Sequence, residues 1–420
     1  MPSLKQLKDF MKAGHLPTLL TAFLYFDVCF SVWVVNGAMA PFISEEFHLT
    51  AAQKGFMVSV PVISGALMRL PLGILAQYIG RKRAAMLEMS IICVCLVWGY
   101  FFTTSLGAVI AMGIALGVAG ASFGVALSLG SGWYPPKYKG LAMGIAGAGN
   151  SGTVIAMLAA PPLALAFGWR TVYLLGIIPM AISMVLLQIF AKEPPDREVK
   201  KLKDYLKILV DRDVWIFNLI YSVTFGGFIG LASFLPTLFH DYYHIPKQSV
   251  GIYVTIGVIA ASLLRVVGGW LSDHLGGIRL LYLLCGLILT GILLASTMPR
   301  SPWMMATLVA LAMGAMGAGN GAVFQLVPLR FRDSTAVAGS LIGEIGALAG
   351  GFLPNAMGLG MKYFGSFTPG FLAGAALSVA SLIALGLVTR RWTSTWVGAH
   401  GKAIEDFGHE RRHDTTSSID

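Results

Sequence analysis

The 420-residue chain is 56% hydrophobic and only 12% charged, where soluble chains carry about 25% charged residues. That balance excludes an ordinary soluble domain and points to an integral membrane protein. A net charge of +10 suggests nucleic acid at first sight, but the placement of the charges speaks for a membrane instead, so no nucleic-acid partner is expected.

Twelve long apolar runs read as helices rather than barrel strands, because they are continuous and not ten-residue alternations. They fall near 17–40, 55–78, 85–102, 106–131, 141–167, 170–190, 214–239, 250–273, 279–298, 302–328, 335–361 and 369–390, with ends good to about 2–4 residues. Of the 30 Lys and Arg, 23 sit in the termini and alternate loops and 5 in the opposite loops. This asymmetry is the positive-inside rule and predicts a multi-pass protein of the cell membrane with both termini in the cytoplasm. The 50 glycines suit helices that pack backbone to backbone in lipid. Cys29, Cys93, Cys95 and Cys285 lie inside apolar runs and suggest neither a disulfide nor a metal site.

The second run carries Arg69 in Gly65-Ala-Leu-Met-Arg69-Leu-Pro-Leu-Gly73, followed by Gln77, Gly80 and Arg81. The eighth carries a twin, in which Arg265, Gly269, Asp273 and Gly276 fall on Arg69, Gly73, Gln77 and Gly80 without a gap. The polar, Pro-broken stretch after Lys192 divides six helices from six. The expected organisation is therefore an all-α polytopic membrane protein of two pseudo-equivalent six-helix bundles. Residues 1–191 form the first half, 192–213 a cytoplasmic linker, 214–391 the second half and 392–420 a polar tail. Parallel repeats of this kind are the architecture of major facilitator transporters. His400, His409 and His413 of the tail read as solvated residues rather than as metal ligands. Gly147-x-Gly149-x-x-Gly152 and Gly120-x-Ser122-x-Gly124 mimic soluble-enzyme motifs but lack the strand–turn–helix setting those motifs need.

Depth along the helices, at about 1.5 Å per residue, gathers the polar residues into one slab. Arg69, Arg265, Asn150, Asn320 and Phe123 come out about 12–14 Å from the cytoplasmic ends, Tyr221 and Phe225 bracket that level, and Asp27 and Glu344 lie about 14–15 Å deep. A charge buried in hydrocarbon costs roughly 2.5–3.5 kcal/mol even on lenient scales. Two such arginines at matching places suggest a bound anion. Plainer readings compete. Arg69 could snorkel, although about 18 Å separates it from Arg81 along the axis. Either arginine could be spent on an ion pair with Asp27 or Glu344. The amides of Asn150 and Asn320 could serve only to join helices, and the three aromatics could be ordinary packing. Two guanidinium forks facing each other suit a small planar oxyanion. The turns holding Gly73, Gly80 and Arg81, and Gly269 and Asp273, read as gating latches.

Five segments together carry a resemblance: Leu67-Met-Arg69-Leu-Pro-Leu-Gly73, Gly147-Ala-Gly-Asn150-Ser-Gly152, Tyr221-Ser-Val-Thr-Phe225, Leu264-Arg265-Val-Val-Gly-Gly-Trp270 and Gly317-Ala-Gly-Asn320-Gly. In that order they resemble the nitrate/nitrite porter family of the major facilitator superfamily. The resemblance implies that Arg69 and Arg265 clamp nitrate or nitrite, that Phe123, Tyr221 and Phe225 enclose it, and that Asn150 lies on the signature helix. Gln77 departs from the family's usual acidic latch residue, and the eleventh run lacks a clean second signature. The expected protein is a monomeric secondary carrier and not an enzyme, with no cofactor. It would work by nitrate/proton symport, with Asp27 or Glu344 as the titrating acid, or by nitrate/nitrite exchange. A carrier of another small anion, such as a carboxylate, is the alternative.

Overall fold

The computed structural model describes residues 4–195 and 202–403. Twelve helices in it are long and apolar enough to cross a membrane, and the described residues form no strand. Spans 1 to 6 are Leu16–Trp33, Ala51–Ile79, Arg81–Phe102, Leu106–Ser131, Leu141–Phe167 and Trp169–Phe190; spans 7 to 12 are Arg212–Asp241, Lys247–Leu275, Gly277–Ser296, Pro302–Arg330, Val337–Phe364 and Thr368–Thr395. An even number of spans leaves the start of span 1 and the end of span 12 on one face.

Several boundaries follow from local signals. Thr50 and Gln53 form a capping box at the start of span 2. Ser105 and Ser301 each accept a backbone N–H three residues on and so start spans 4 and 10. Gly365, at φ 65°, stops span 11 in the left-handed conformation. Span 1 departs from the expected single helix over 17–40. It breaks at Val34 and continues as two short turns, Val35–Ala38 and Ala40–Glu46. Gly37 lies against the Ser233 carbonyl, where a Cβ would be 2.4 Å away, Tyr173 donates to Asn36 Oδ1 at 2.7 Å, and Pro41 lacks an amide. Span 12 runs past the expected limit at 391 because Trp392 is fully buried. Its ring stacks on Phe217 at 4.9 Å and its indole donates to Asp213 at 2.7 Å.

An amphipathic helix, Leu4–Ala13, precedes span 1 and buries Phe10 against Tyr134 at 4.7 Å. A second helix, Leu202–Leu209, lies within the linker. Residues 196–201 of that linker, and His409 and His413 of the tail, fall outside the described residues. His400 lies in a short turn, Ala399–Gly401, at φ 63°.

The first six spans meet the last six through glycine, and the fit is tightest toward the face opposite the termini. A Cβ on Gly251 of span 8 would stand 1.7 Å from the Met157 carbonyl of span 5; one on Gly55 of span 2, 2.5 Å from the Pro354 carbonyl of span 11. Only glycine allows backbones so close. Ion pairs Lys54–Asp241, at 2.6 Å, and Lys247–Glu45 bridge the two sets of spans on that same face. Toward the termini the fit relaxes: a Cβ on Gly73 would come no nearer than 3.9 Å to Ser340 Oγ, and one on Gly144 would meet nothing within 4 Å. The bundle is thus closed on the face away from its termini.

Candidate functional site

Arg69 lies inside span 2 at 4% exposure. Its Nε donates to the Gly120 carbonyl of span 4 at 3.0 Å, and its Nη1 to the Gly343 carbonyl of span 11 at 2.5 Å. The guanidinium thereby ties the first six spans to the last six. Its Nη2 has no hydrogen-bond partner. Three rings surround it, with Trp33, Phe123 and Phe225 at 5.5, 5.2 and 5.1 Å from Cζ, the separation at which ring faces attract a cation. The side chain does not snorkel.

Arg265 of span 8 is equally enclosed, at 6%. Its Cζ is 5.4 Å from the Phe123 ring, so one aromatic side chain serves both arginines. Its Nη1 also has no partner. Tyr221 is within electrostatic reach of both guanidiniums, and its buried hydroxyl is turned toward Arg265 but lies outside hydrogen-bond geometry. Tyr221 stacks on Phe225 at 5.2 Å and 10°. These two rings are brought to the same side by a π-turn over Ser222–Gly226, where the Ser222 hydroxyl donates to the Asn218 carbonyl at 2.7 Å and Gly226 lets the Gly346 carbonyl approach. Such wide turns re-aim side chains inside a helix.

The amides of Asn150 and Asn320 are wholly buried, and neither the oxygen nor the nitrogen of either has a partner. Asn150 sits in a short tightened turn, Ala148–Ser151, in the middle of span 5. Three residues before it, Gly147 leaves Arg265 Nη2 3.5 Å from where a Cβ would be. The neighbouring glycines do structural work: a Cβ on Gly152 would lie 1.8 Å from the Asp27 carbonyl, so this glycine run packs span 5 on span 1. Gly321, next to Asn320, does the same against the Arg265 carbonyl at 2.2 Å.

The two acids part company. Asp27 accepts the Ser151 hydroxyl at 2.5 Å, and no ion pair joins it to either arginine among the described residues. Glu344, at 9% exposure, is electrostatically linked to Arg69. Its Oε2 has no hydrogen-bond partner, and it follows directly on Gly343, whose carbonyl holds Arg69.

The latch turns repeat faithfully. Gly80 at φ +96° and Gly276 at φ +90° end their helices in a conformation that glycine alone adopts readily. The Glu193 carboxylate accepts the amides of Arg81 and Lys82 at 2.7 and 2.9 Å, a favourable place for a negative charge at a helix start. Arg81 also donates to the Ser128 carbonyl at 3.2 Å. Gly276 lies under the His400 carbonyl, Asp273 is exposed, and a Cβ on Gly269 would stand 3.9 Å from Gly321. None of these contacts of Arg81, Gly276 and Gly269 reaches across to the other set of six spans.

Several residues of the site escaped the sequence reading. Phe324 touches Phe123 at 6.1 Å and Tyr221 at 5.4 Å; it lies four residues after Asn320, a helical spacing that could have flagged it. Trp33 and Gly343 gave no signal of their own. Asn218, one turn before Tyr221, is a third buried amide with both atoms unpartnered. Glu88, wholly buried in span 3, accepts the Tyr25 hydroxyl; an acid inside an apolar run was a legible signal.

Residues 21–354 match the family model described as Major Facilitator Superfamily. The chain is 31% identical over 361 residues to the nitrite extrusion protein of Bacillus subtilis, covering 84% of this chain and 89% of that one. It is 30% identical to a probable nitrate/nitrite antiporter of Thermus thermophilus, covering 82% and 84%, and 29% identical to a probable nitrate transporter of Staphylococcus haemolyticus, covering 89% and 97%. Among solved structures, a bacterial homolog of the human lysosomal transporter Spinster, inward-facing and occupied, superposes with a TM-score of 0.72 at 19% identity, over 91% of this chain and 98% of that one.

Proposed function

The chain belongs to the Major Facilitator Superfamily, within its nitrate/nitrite porter family, and on that premise we propose that it carries nitrate and nitrite across the cell membrane by alternating access. The observation that carries the reading is the pair of buried guanidiniums sharing the Phe123 ring, each with an unpartnered N–H. Buried donors without acceptors are rare and ask for an explanation. A planar anion between Arg69 and Arg265 answers both, because its oxygens accept from two forks at once. The NH₂ groups of Asn150 and Asn320 complete the donor set, and Phe123, Tyr221 and Phe225 exclude water and so strengthen each charge-assisted bond. The names of the relatives favour nitrate and nitrite over a carboxylate.

The reading places both termini in the cytoplasm, which the excess of Lys and Arg in alternate loops supports, and treats the protein as a monomer of residues 1–191 and 214–391 joined by the linker. The closed far face is then the outer one, and the structure is a member of the cycle that is shut on that side. The latch turns at Gly73–Arg81 and Gly269–Asp273 act in the opposite state, when the inner ends of the helices meet. Transport runs as proton-coupled nitrate uptake; the name of the Thermus relative favours nitrate/nitrite exchange as the second reading.

Binding by the purified protein across nitrate, nitrite, formate and oxalate tests the substrate. Nitrate and nitrite are expected to compete with each other and the carboxylates not to; tighter binding of a carboxylate than of nitrate rejects the proposal. Accumulation of nitrate in proteoliposomes under a pH gradient, without internal nitrite, separates symport from exchange.

A further inference from the structure

Three carboxyl groups lie buried among the membrane spans near the site: Asp27, Glu88 and Glu344. Asp27 is engaged by the Ser151 hydroxyl and built into the packing of span 1 on span 5. Glu88 faces Tyr25 and Cys29 of span 1, away from the arginines. Glu344 differs from both. It is linked to Arg69, one of its oxygens lacks a partner, and its neighbour Gly343 already bonds the same guanidinium.

We propose that Glu344 is the proton-binding group of the carrier, ionised as a counter-charge to Arg69 when no anion is bound and protonated when nitrate enters. The inference rests on the anion site proposed above and adds the coupling to it. Charge conservation supplies the argument. Two arginines with an ionised Glu344 leave one positive charge; two arginines, one nitrate and a protonated Glu344 also leave one. The empty and the loaded bundle therefore carry the same buried charge through the membrane, and neither crossing meets the cost of an extra charge in hydrocarbon. With a glutamine in its place the empty core would carry two charges and the loaded core one.

The surroundings keep this exchange local. Span 2 presents Arg69 to Glu344, and span 7 brings Tyr221 to the same guanidinium; Arg265 of span 8 lies within electrostatic reach of Arg69. The charged residues of spans 10 and 12, Arg330, Arg390 and Arg391, stand at the helix ends toward the termini, as does the linker helix Leu202–Leu209 with Lys203, Asp204 and Lys207. Span 4 has no charged residue and offers Phe123, which packs beside Gly343. On binding, the carboxylate takes one proton from hydronium in the adjoining solution, forming an O–H bond and leaving water; the anion replaces the carboxylate as the partner of Arg69, and both are released on the same side. The stoichiometry is one proton per nitrate and transport is electroneutral.

The test is nitrate binding to the purified full chain from about pH 5 to about pH 8, because a linked proton makes affinity depend on pH. Wild-type affinity is expected to rise as pH falls, by up to about tenfold per unit, and by reciprocity nitrate binding takes up one proton from a weakly buffered solution. Glu344→Gln is expected to remove both effects, and Asp27→Asn to keep them. A wild type whose affinity is flat with pH and that takes up no proton overturns the proposal, as does a Glu344→Gln variant whose affinity keeps the wild-type slope with pH. Should Glu344→Gln fail to fold, proton uptake by the wild type and the slope retained in Glu344→Asp decide the matter. Failure of the wild type to bind nitrate at any pH is a different result, which rejects the anion site itself.

Discussion

Arg69 and Arg265 occupy matching places in a sequence repeat, yet the tertiary structure gives them different work. Arg69 spends two N–H groups on carbonyls of spans 4 and 11 and is ringed by three aromatics. Arg265 shares only Phe123 among those rings and lies beside Tyr221. Arg69 therefore joins the two sets of spans as well as facing the site, while Arg265 is freer to follow an anion. Duplication supplied two equal charges, and the partners each met in the other half made them unequal.

That contrast can be broken most sharply by removing each fork while keeping its charge. Arg69→Lys and Arg265→Lys are both expected to cost about 1.5–3 kcal/mol, the worth of a hydrogen bond to a charged group, or about ten- to a hundredfold in nitrate affinity. Arg69→Lys should also lower thermal stability, because the Gly120 and Gly343 carbonyls lose their donors, whereas Arg265→Lys should not. Equal melting temperatures for the two variants, or wild-type transport in either, contradicts the asymmetry.

Next in its effect on binding, though larger in its effect on stability, is the ring between them. Phe123→Ala removes a contact of both arginines and is expected to destabilise by about 3–5 kcal/mol, with nitrate affinity falling more than for Phe225→Ala, which strips Arg69 alone. A smaller effect comes from the glycines. Gly147→Ala sets a methyl 3.5 Å from Arg265 Nη2, and Gly343→Ala sets one 3.5 Å from Arg69 Nη1. Both are ordinary contacts, so folding should change little while anion binding weakens about two- to tenfold by lost space. The Gly343 variant should be the worse, since Phe123 also stands at 3.5 Å.

The smallest expected effect lies far from the arginines, at the closed face. Ion pairs with solvent access are worth about 0–1 kcal/mol, so Lys54→Ala should shift the balance toward the outward-open state by no more than about fivefold, read as labelling of a cysteine placed below that face. On the same face, burial opposes ionisation of Glu46, but hydrogen bonds from Arg170 and Trp169 hold its carboxyl below the ordinary value. Its contribution to stability is present above the unfolded carboxyl pKa and fades as pH falls through the lower folded value. A melting profile of Glu46→Gln should accordingly converge with wild type in acid and separate from it near neutrality.

Much of this molecule is legible in its sequence. Twelve apolar runs, the repeat at Arg69 and Arg265, and the depth count that put Asn150, Asn320 and Glu344 at one level all rest on local arithmetic: about 1.5 Å per helical residue and a high cost for charge in lipid. The positive-φ turns at Gly80 and Gly276 were visible as matched glycines for the same reason. What stayed hidden depended on which residues meet. The break after Trp33 comes from the Ser233 carbonyl pressing on Gly37 across the interface, and the extension of span 12 to Thr395 comes from a pocket for Trp392 made by Phe217 and Asp213.

The sequence by itself determined that the chain has twelve membrane-length apolar helices and two arginines at matching places of a repeat, because length, hydropathy and spacing are properties of each segment alone. Only the tertiary structure decided that Arg69 bonds the Gly343 carbonyl, that Phe123 stands between the arginines, and that Glu344 and not Asp27 is linked to Arg69. A helix has a full circle of directions at any given depth. Which one a side chain takes is set by the neighbours packed around it, and no single run of residues contains that information.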